Sequence, residues 1–117
     1  MREEKKLSGQ TCGQTESHTR LLTEQERAGL ASEIPDWKAG DKSMEREFSF
    51  RDFREAMHFV NKVAANAEKQ DHHPDICVFY NRVRLTLSTH KAGGLTMNDF
   101  IMAAKIDQIL SPQMAAH

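Results

Sequence analysis

Cysteine is scarce in this chain. Only Cys12 and Cys77 occur among its 117 residues, too few for a disulfide framework and at a spacing that fits no metal motif. A reducing, cytosolic setting suits such usage. Neither charge sign dominates: 16 Lys and Arg against 17 Asp and Glu leave a net charge of −1, which argues against direct nucleic-acid binding, since that needs a clear basic excess. Long apolar runs are missing as well. None approaches the roughly 18 residues that cross a bilayer, so no membrane partner is expected. The first six residues, Met1-Arg2-Glu3-Glu4-Lys5-Lys6, lack the apolar stretch of a signal peptide.

What is present is the pattern of one domain. Hydrophobic residues make up 38% and charged residues 28%, as in a globular protein with a single core. Beyond the initiator, residues 1–20 hold only Leu7 as a large aliphatic, too little apolar surface to offset the entropy of ordering. They are expected to form a flexible tail, with the domain over 21–112 and a short C-terminal tail at 113–117.

Helix and strand signals then alternate. Thr23 and Glu26 form a capping box, Leu30 and Ile34 supply apolar contacts, and Pro35 ends that helix by disfavouring the α region at Ile34. Ala39-Gly40-Asp41 reads as a turn. Met44, Arg46, Phe48 and Phe50 share one face of a strand, with Glu45, Glu47 and Ser49 on the other. Ser49-Phe50-Arg51-Asp52 opens a long helix to about Lys69. Its main apolar stripe is Phe53, Ala56, Met57, Val60, Ala64 and Ala67; Phe59 and Val63 add a narrower stripe, suited either to a neighbouring subunit or to a wider intrachain core. Strands are expected at 76–80 and 83–89 with a tight turn through Asn81-Arg82. A last helix begins at Thr96, with Asp99 three residues on and Leu95 stapling to Phe100. The order α-β-β-α-β-β-α implies an α+β fold: a four-stranded antiparallel sheet with helices packed on one face.

The densest chemistry is Glu68-Lys69-Gln70-Asp71-His72-His73-Pro74. Neutral imidazole exchanges protons readily near pH 7, its unperturbed pKa being about 6.5. A third imidazole, His90, closes Ser88-Thr89-His90, with Asp99 further on. Metal binding by Glu68, His72, His73 and His90 is the weaker reading, because adjacent histidines rarely aim both rings at one ion. Nucleophilic catalysis is weaker still. Cys77 sits in an apolar strand run, where burial silences a thiol, and no serine has an elbow context. Asp99 also suits a helix cap, and Trp37 also suits the core. His58 reads as packing or surface, and His18 and His117 lie in the tails.

Glu68 through Pro74, Tyr80-Asn81, Ser88-Thr89-His90 and Gly94-Leu95-Thr96 with Asp99, in this order after Trp37, resemble the signature of the pterin-4a-carbinolamine dehydratases, from about Leu22 to Leu110. Members of that family double in animals as dimerisation cofactors of a homeodomain transcription factor. The resemblance implies a dehydratase that removes water from a 4a-hydroxytetrahydropterin to give the quinonoid dihydropterin, in tetrahydrobiopterin recycling. It implies His72, His73 and His90 as the catalytic acid/base residues, with His72 the first candidate. Glu68, Asp71, Trp37, Ser88, Thr89 and Asp99 are the implied substrate contacts. No metal and no cofactor is implied, the pterin being substrate. Expected partners are further copies of the chain in a homodimer or homotetramer, and an aromatic amino acid hydroxylase or a transcription factor. The location is cytoplasmic, with the nucleus as the second setting. The rival reading is a non-catalytic dimerisation cofactor, or transcriptional coactivator, that acts through a protein partner.

Overall fold

A computed structural model describes residues 7–110. Four helices, α1 (Glu16–Thr19), α2 (Glu24–Ala31), α3 (Phe53–Gln70) and α4 (Met97–Ile109), accompany four strands, β1 (Lys38–Ala39), β2 (Met44–Ser49), β3 (Asp75–Phe79) and β4 (Arg82–Leu87). The strands form one antiparallel sheet in the order β1-β2-β4-β3. No helix among the described residues is long and apolar enough to cross a membrane.

Period-two patterning decides which face of the sheet is covered. Met44 and Phe48 on β2 and Val83, Leu85 and Leu87 on β4 are buried, while Glu45, Glu47, Arg82 and Arg84 point to solvent. The long helices α3 and α4 pack over the apolar face, so the expected α+β arrangement is present. Phe48 and Phe50 close on Phe59 of α3 with ring centroids 4.7 and 5.1 Å apart.

Two helix starts follow the capping chemistry of the sequence: Thr23 and Glu26 satisfy each other's backbone donors at α2, and Thr96 with Asp99 does the same at α4. At α3 the start is shifted, since Ser49 stays in β2 and Asp52 is the cap, accepting from the Glu55 amide at 2.9 Å. Several local expectations are corrected. The two loop residues of the β3–β4 hairpin are Tyr80 and Asn81, because Phe79 pairs with Arg82; Tyr80 adopts φ 58, the left-handed twist that a two-residue hairpin loop requires. On α3 the buried line combines parts of both stripes. Phe59 and Val63 are fully buried with Ala56 and Ala67, whereas Phe53 and Ala64 are exposed and Met57 and Val60 half-buried. The narrower stripe therefore belongs to the intrachain core. Cys77 is exposed, since the apolar run around it forms an edge strand with neither face fully covered.

The largest difference concerns the segment expected to be a flexible tail. From Leu7 to Arg20 it lies against α4. Leu7 is buried, Lys105 Nζ donates to Ser8 O at 2.9 Å, and Asn98 holds Gly13 in a reciprocal pair of 3.0 and 2.9 Å. The cause lies in α4, whose run 100–104 is apolar and buried on every side, next to buried Asn98 and Asp99. A helical run apolar all round must be covered all round, and this segment covers what α3 and the sheet leave open. Residues 1–6 and 113–117 of the expected tails lie outside the described residues.

Candidate active site

The end of α3 aims the first imidazole. Asp71 takes the left-handed conformation at φ 54, which Asp tolerates better than most side chains. The Asp71 amide then donates to Glu68 O at 3.3 Å and the His72 amide to Ala67 O at 3.2 Å. This is the Schellman termination. Pro74, two residues beyond His72, cannot continue a helix. The turn brings His72 back across the N-terminus of α4.

There Asp99 receives it. Asp99 is fully buried, and its carboxylate accepts from His72 Nε2 at 2.6 Å, from Thr89 Oγ1 at 2.8 Å and from the Thr96 amide at 2.9 Å. The Thr89 proton being committed to Asp99, the Thr96 hydroxyl donates to Thr89 Oγ1 at 2.8 Å. A carboxylate offers only acceptors, so the proton of the His72–Asp99 contact sits on Nε2. In neutral His72 the lone pair is therefore on Nδ1. One buried carboxylate thus serves as helix cap and as the anchor of an imidazole tautomer.

His72 borders a cavity of about 450 Å³, whose other lining residues include Asp71, Thr89, Lys91 and Asn98, with Gln14 and Thr19 from the docked N-terminal segment. That size suits a small organic ligand. His73 makes a separate, exposed pair with Glu68, Nε2 to Oε2 at 2.6 Å. His90 is exposed at the start of the 3-10 turn His90–Ala92, directly after Thr89, and Ser88 is half-buried. Among the described residues no three His, Cys, Asp or Glu side chains converge as a metal-binding group; the imidazoles of His72 and His73 instead take one carboxylate each.

Trp37 is placed elsewhere. It is buried against Phe48, at 6.2 Å and edge-on, and its Nε1 donates to Asp107 Oδ1 at 2.8 Å. Asp107 lies eight residues after Asp99 on α4, about two turns away, so Trp37 joins the core and does not line the His72 cavity. Burial pushes the Asp107 carboxyl up, against the opposing pull of Trp37 and Arg46. Arg46, whose Nη1 reaches Asp107 at 2.6 Å, explains how a cation occupies the inner face of β2. A second cavity, about 470 Å³ between Leu7, Glu33, Asp107 and Leu110, contains no imidazole.

Sequence reasoning missed Gln14, Thr19, Lys91, Ala92 and Asn98 as lining residues. The first two carried no signal once the N-terminal stretch was taken as a tail. A polar residue at 98, just before the apolar run 100–104, was the available hint.

The sheet, the covering helices and a carboxylate-anchored histidine define an α+β protein with a cavity bordered by that imidazole. Residues 20–109 match the family model described as pterin 4 alpha carbinolamine dehydratase. A Rubrobacter xylanophilus protein provisionally named as such a dehydratase is 47% identical over 89 residues, covering 75% of this chain and 83% of that protein. One from Syntrophotalea carbinolica, also provisionally named, is 43% identical over 109 residues, covering 90% and 97%. A solved structure from Brucella melitensis, described as a transcriptional coactivator/pterin dehydratase, is 39% identical with a TM-score of 0.73, covering 77% of this chain and 98% of its own. The fold is also similar, at 23% identity and a TM-score of 0.55, to a pterin dehydratase-like RuBisCO assembly factor of the alpha-carboxysome. The chain belongs to the pterin 4-alpha-carbinolamine dehydratase family.

Proposed function

We propose that this protein dehydrates a 4a-hydroxytetrahydropterin to the quinonoid dihydropterin, in tetrahydrobiopterin recycling, with His72 as the central acid/base group. The observation that carries the reading is the buried Asp99 carboxylate holding His72 Nε2–H at 2.6 Å beside the cavity. In the reaction the C4a–O bond breaks, the hydroxyl leaves as water after taking one proton, and a ring nitrogen loses its proton as the C4a=N bond forms. Neutral His72, with its Nδ1 lone pair, is set to take the ring proton. The donor to the departing hydroxyl falls to His73 or His90, the two imidazoles adjacent in sequence to His72 and Thr89. Asp71 and Thr89 line the cavity and are assigned to hydrogen bonds with the heterocycle; Glu68 orients His73. The reaction as written needs neither metal nor redox cofactor.

Assembly into a homodimer or homotetramer is assigned to the outer line of α3. Phe53 is 50% and Tyr80 66% exposed, and their rings stack 6.4 Å apart next to the β3 edge. Sedimentation of wild type against Phe53→Glu checks this, and a monomeric wild type would refute it.

The deciding experiment is a dehydration assay on substrate generated in situ by a hydroxylase, with His72→Ala, His73→Ala and His90→Ala beside wild type. Fast wild-type turnover, insensitive to chelator and lost in His72→Ala by about 10²-fold or more, is the expected result. A well-folded wild type that does not exceed the spontaneous rate would overturn the proposal and leave the cofactor reading, to be tested by partner capture.

A further inference from the structure

The N-terminal segment is a wall of the cavity, and its attachment is built. Asn98, buried to 4% exposure, clasps Gly13 through both its amide atoms. Gln70 Oε1, at the last residue of α3, accepts from the Cys12 amide at 2.9 Å. A side chain at Gly13 would crowd His18, since an added Cβ would stand 3.0 Å from His18 Nδ1 and the ring would have to give by a few tenths of an ångström; that His18 nitrogen is in turn bonded to Thr15 Oγ1 at 2.8 Å. Asn98 and Gln70 therefore fix the backbone immediately before Gln14, and Thr15, tied to His18 within the segment, follows it. The result is that Gln14 and Thr19 border the same cavity as His72. Gln14 is exposed and its amide has no partner among the described residues, while Thr19 is half-buried with its hydroxyl proton given to Thr15 O. Both can still accept a hydrogen bond, and Gln14 can donate two.

These residues lie outside the stretch that matches the family model, which starts at residue 20. The chemistry needs C4a beside His72, against the buried Asp99. The part of the substrate that reaches an exposed rim is then the part not undergoing reaction. The 2-amino-4-oxo edge of a pterin demands fixed, buried partners, whereas the substituent on C6 varies in length and polarity and is best accommodated at an opening.

We propose that Gln14 and Thr19 read the 6-substituent of the pterin and favour a hydroxylated chain over a plain alkyl group. This rests on the pterin reading of the His72 site. Gln70 acts as a positioning residue, holding the segment that carries both side chains.

The test measures equilibrium binding of two stable probes, biopterin with its dihydroxypropyl group and 6-methylpterin, to wild type, Gln14→Ala, Thr19→Ala and Gln70→Ala. Each rim variant is expected to weaken biopterin binding about two- to tenfold, the worth of one net hydrogen bond, and to leave 6-methylpterin unchanged. Gln70→Ala should give the same selective loss together with faster alkylation of Cys12, which reports loosening of the segment. In the rim variants Cys12 should stay as slow as in wild type, showing that the segment remains docked. Equal losses for both probes, or no loss for either, would overturn the inference while leaving the pterin site intact. Failure of wild type to bind either probe would instead refute the pterin reading itself.

Discussion

Replacing Asp99 by Asn tests the tautomer argument directly, because it alters one atom's chemistry at nearly constant volume. The native carboxylate accepts three hydrogen bonds, two on Oδ2 from Thr89 and Thr96 and one on Oδ1 from His72. Asparagine has one acceptor oxygen and one donor nitrogen. Turning its oxygen toward Thr89 and Thr96 keeps the helix cap and sets the NH₂ against His72 Nε2. Two donors cannot face each other there, so His72 must move its proton to Nδ1. The cavity then meets an N–H where it had a lone pair, and neutral His72 can no longer accept the ring proton. Loss of one charge-assisted hydrogen bond costs about 1–3 kcal/mol, or roughly 4–8 °C of Tm per kcal/mol for a domain of this size. Turnover should fall far more, by about 10²- to 10⁴-fold, the range of a lost acid/base contribution. The checks are the dehydration assay, thermal unfolding, and ¹⁵N chemical shifts of the His72 ring, which distinguish the tautomers. Turnover within about threefold of wild type, with the ring shifts showing the proton moved to Nδ1, would refute the reasoning, since the full acid/base contribution is larger.

Three further outcomes are expected. Phe59→Ala removes the ring on which Phe48 and Phe50 converge, and should cost about 3–5 kcal/mol in urea unfolding, as large aromatic truncations in cores do. Glu26 should titrate near its shifted value: the bidentate Arg20 contact and the Thr23 amide lower its pKa from 4.5 to about 2. A depressed carboxylate pKa means that its contribution to stability is present above about pH 4.5 and is lost as pH falls through about 2; side-chain carboxyl shifts followed by NMR would read the midpoint. Burial raises the Cys12 thiol to about 11, whereas Cys77 is exposed on β3, so iodoacetamide near pH 8 should label Cys77 well before Cys12, with denaturant abolishing the difference.

Which features could be read in advance follows from how far apart the interacting residues stand in sequence. Thr23 with Glu26, and Thr96 with Asp99, act over three residues, so those helix starts were legible. The alternation in Met44–Ser49 and Arg82–Leu87 exposed the sheet's buried face. The stripes of α3 were not assignable, because Phe59 with Val63 and Phe53 with Met57 have the same helical spacing; only the positions of β2 and β4 make the first pair the core. Cys77 looked buried because an apolar run does not announce that it lies at a sheet edge.

The candidate site divides along the same line. By itself the chain determined the fold class, singled out Asp71, His72 and His73 as candidates, and carried the serial resemblance to a dehydratase family, since these depend on local spacing and residue type. It did not determine that Asp99, 27 residues after His72, would be that imidazole's partner. Nor did it determine that Trp37 would bond Asp107 across 70 positions. It concealed most of all that residues 7–20 would dock: their few apolar atoms look insufficient until the run 100–104 of α4 is seen to be apolar on every side and Asn98 and Gln70 are seen to wait for Gly13 and Cys12. Order in that segment comes from surface and hydrogen-bond partners that exist only after the rest of the chain has folded, and so tertiary structure alone decided it.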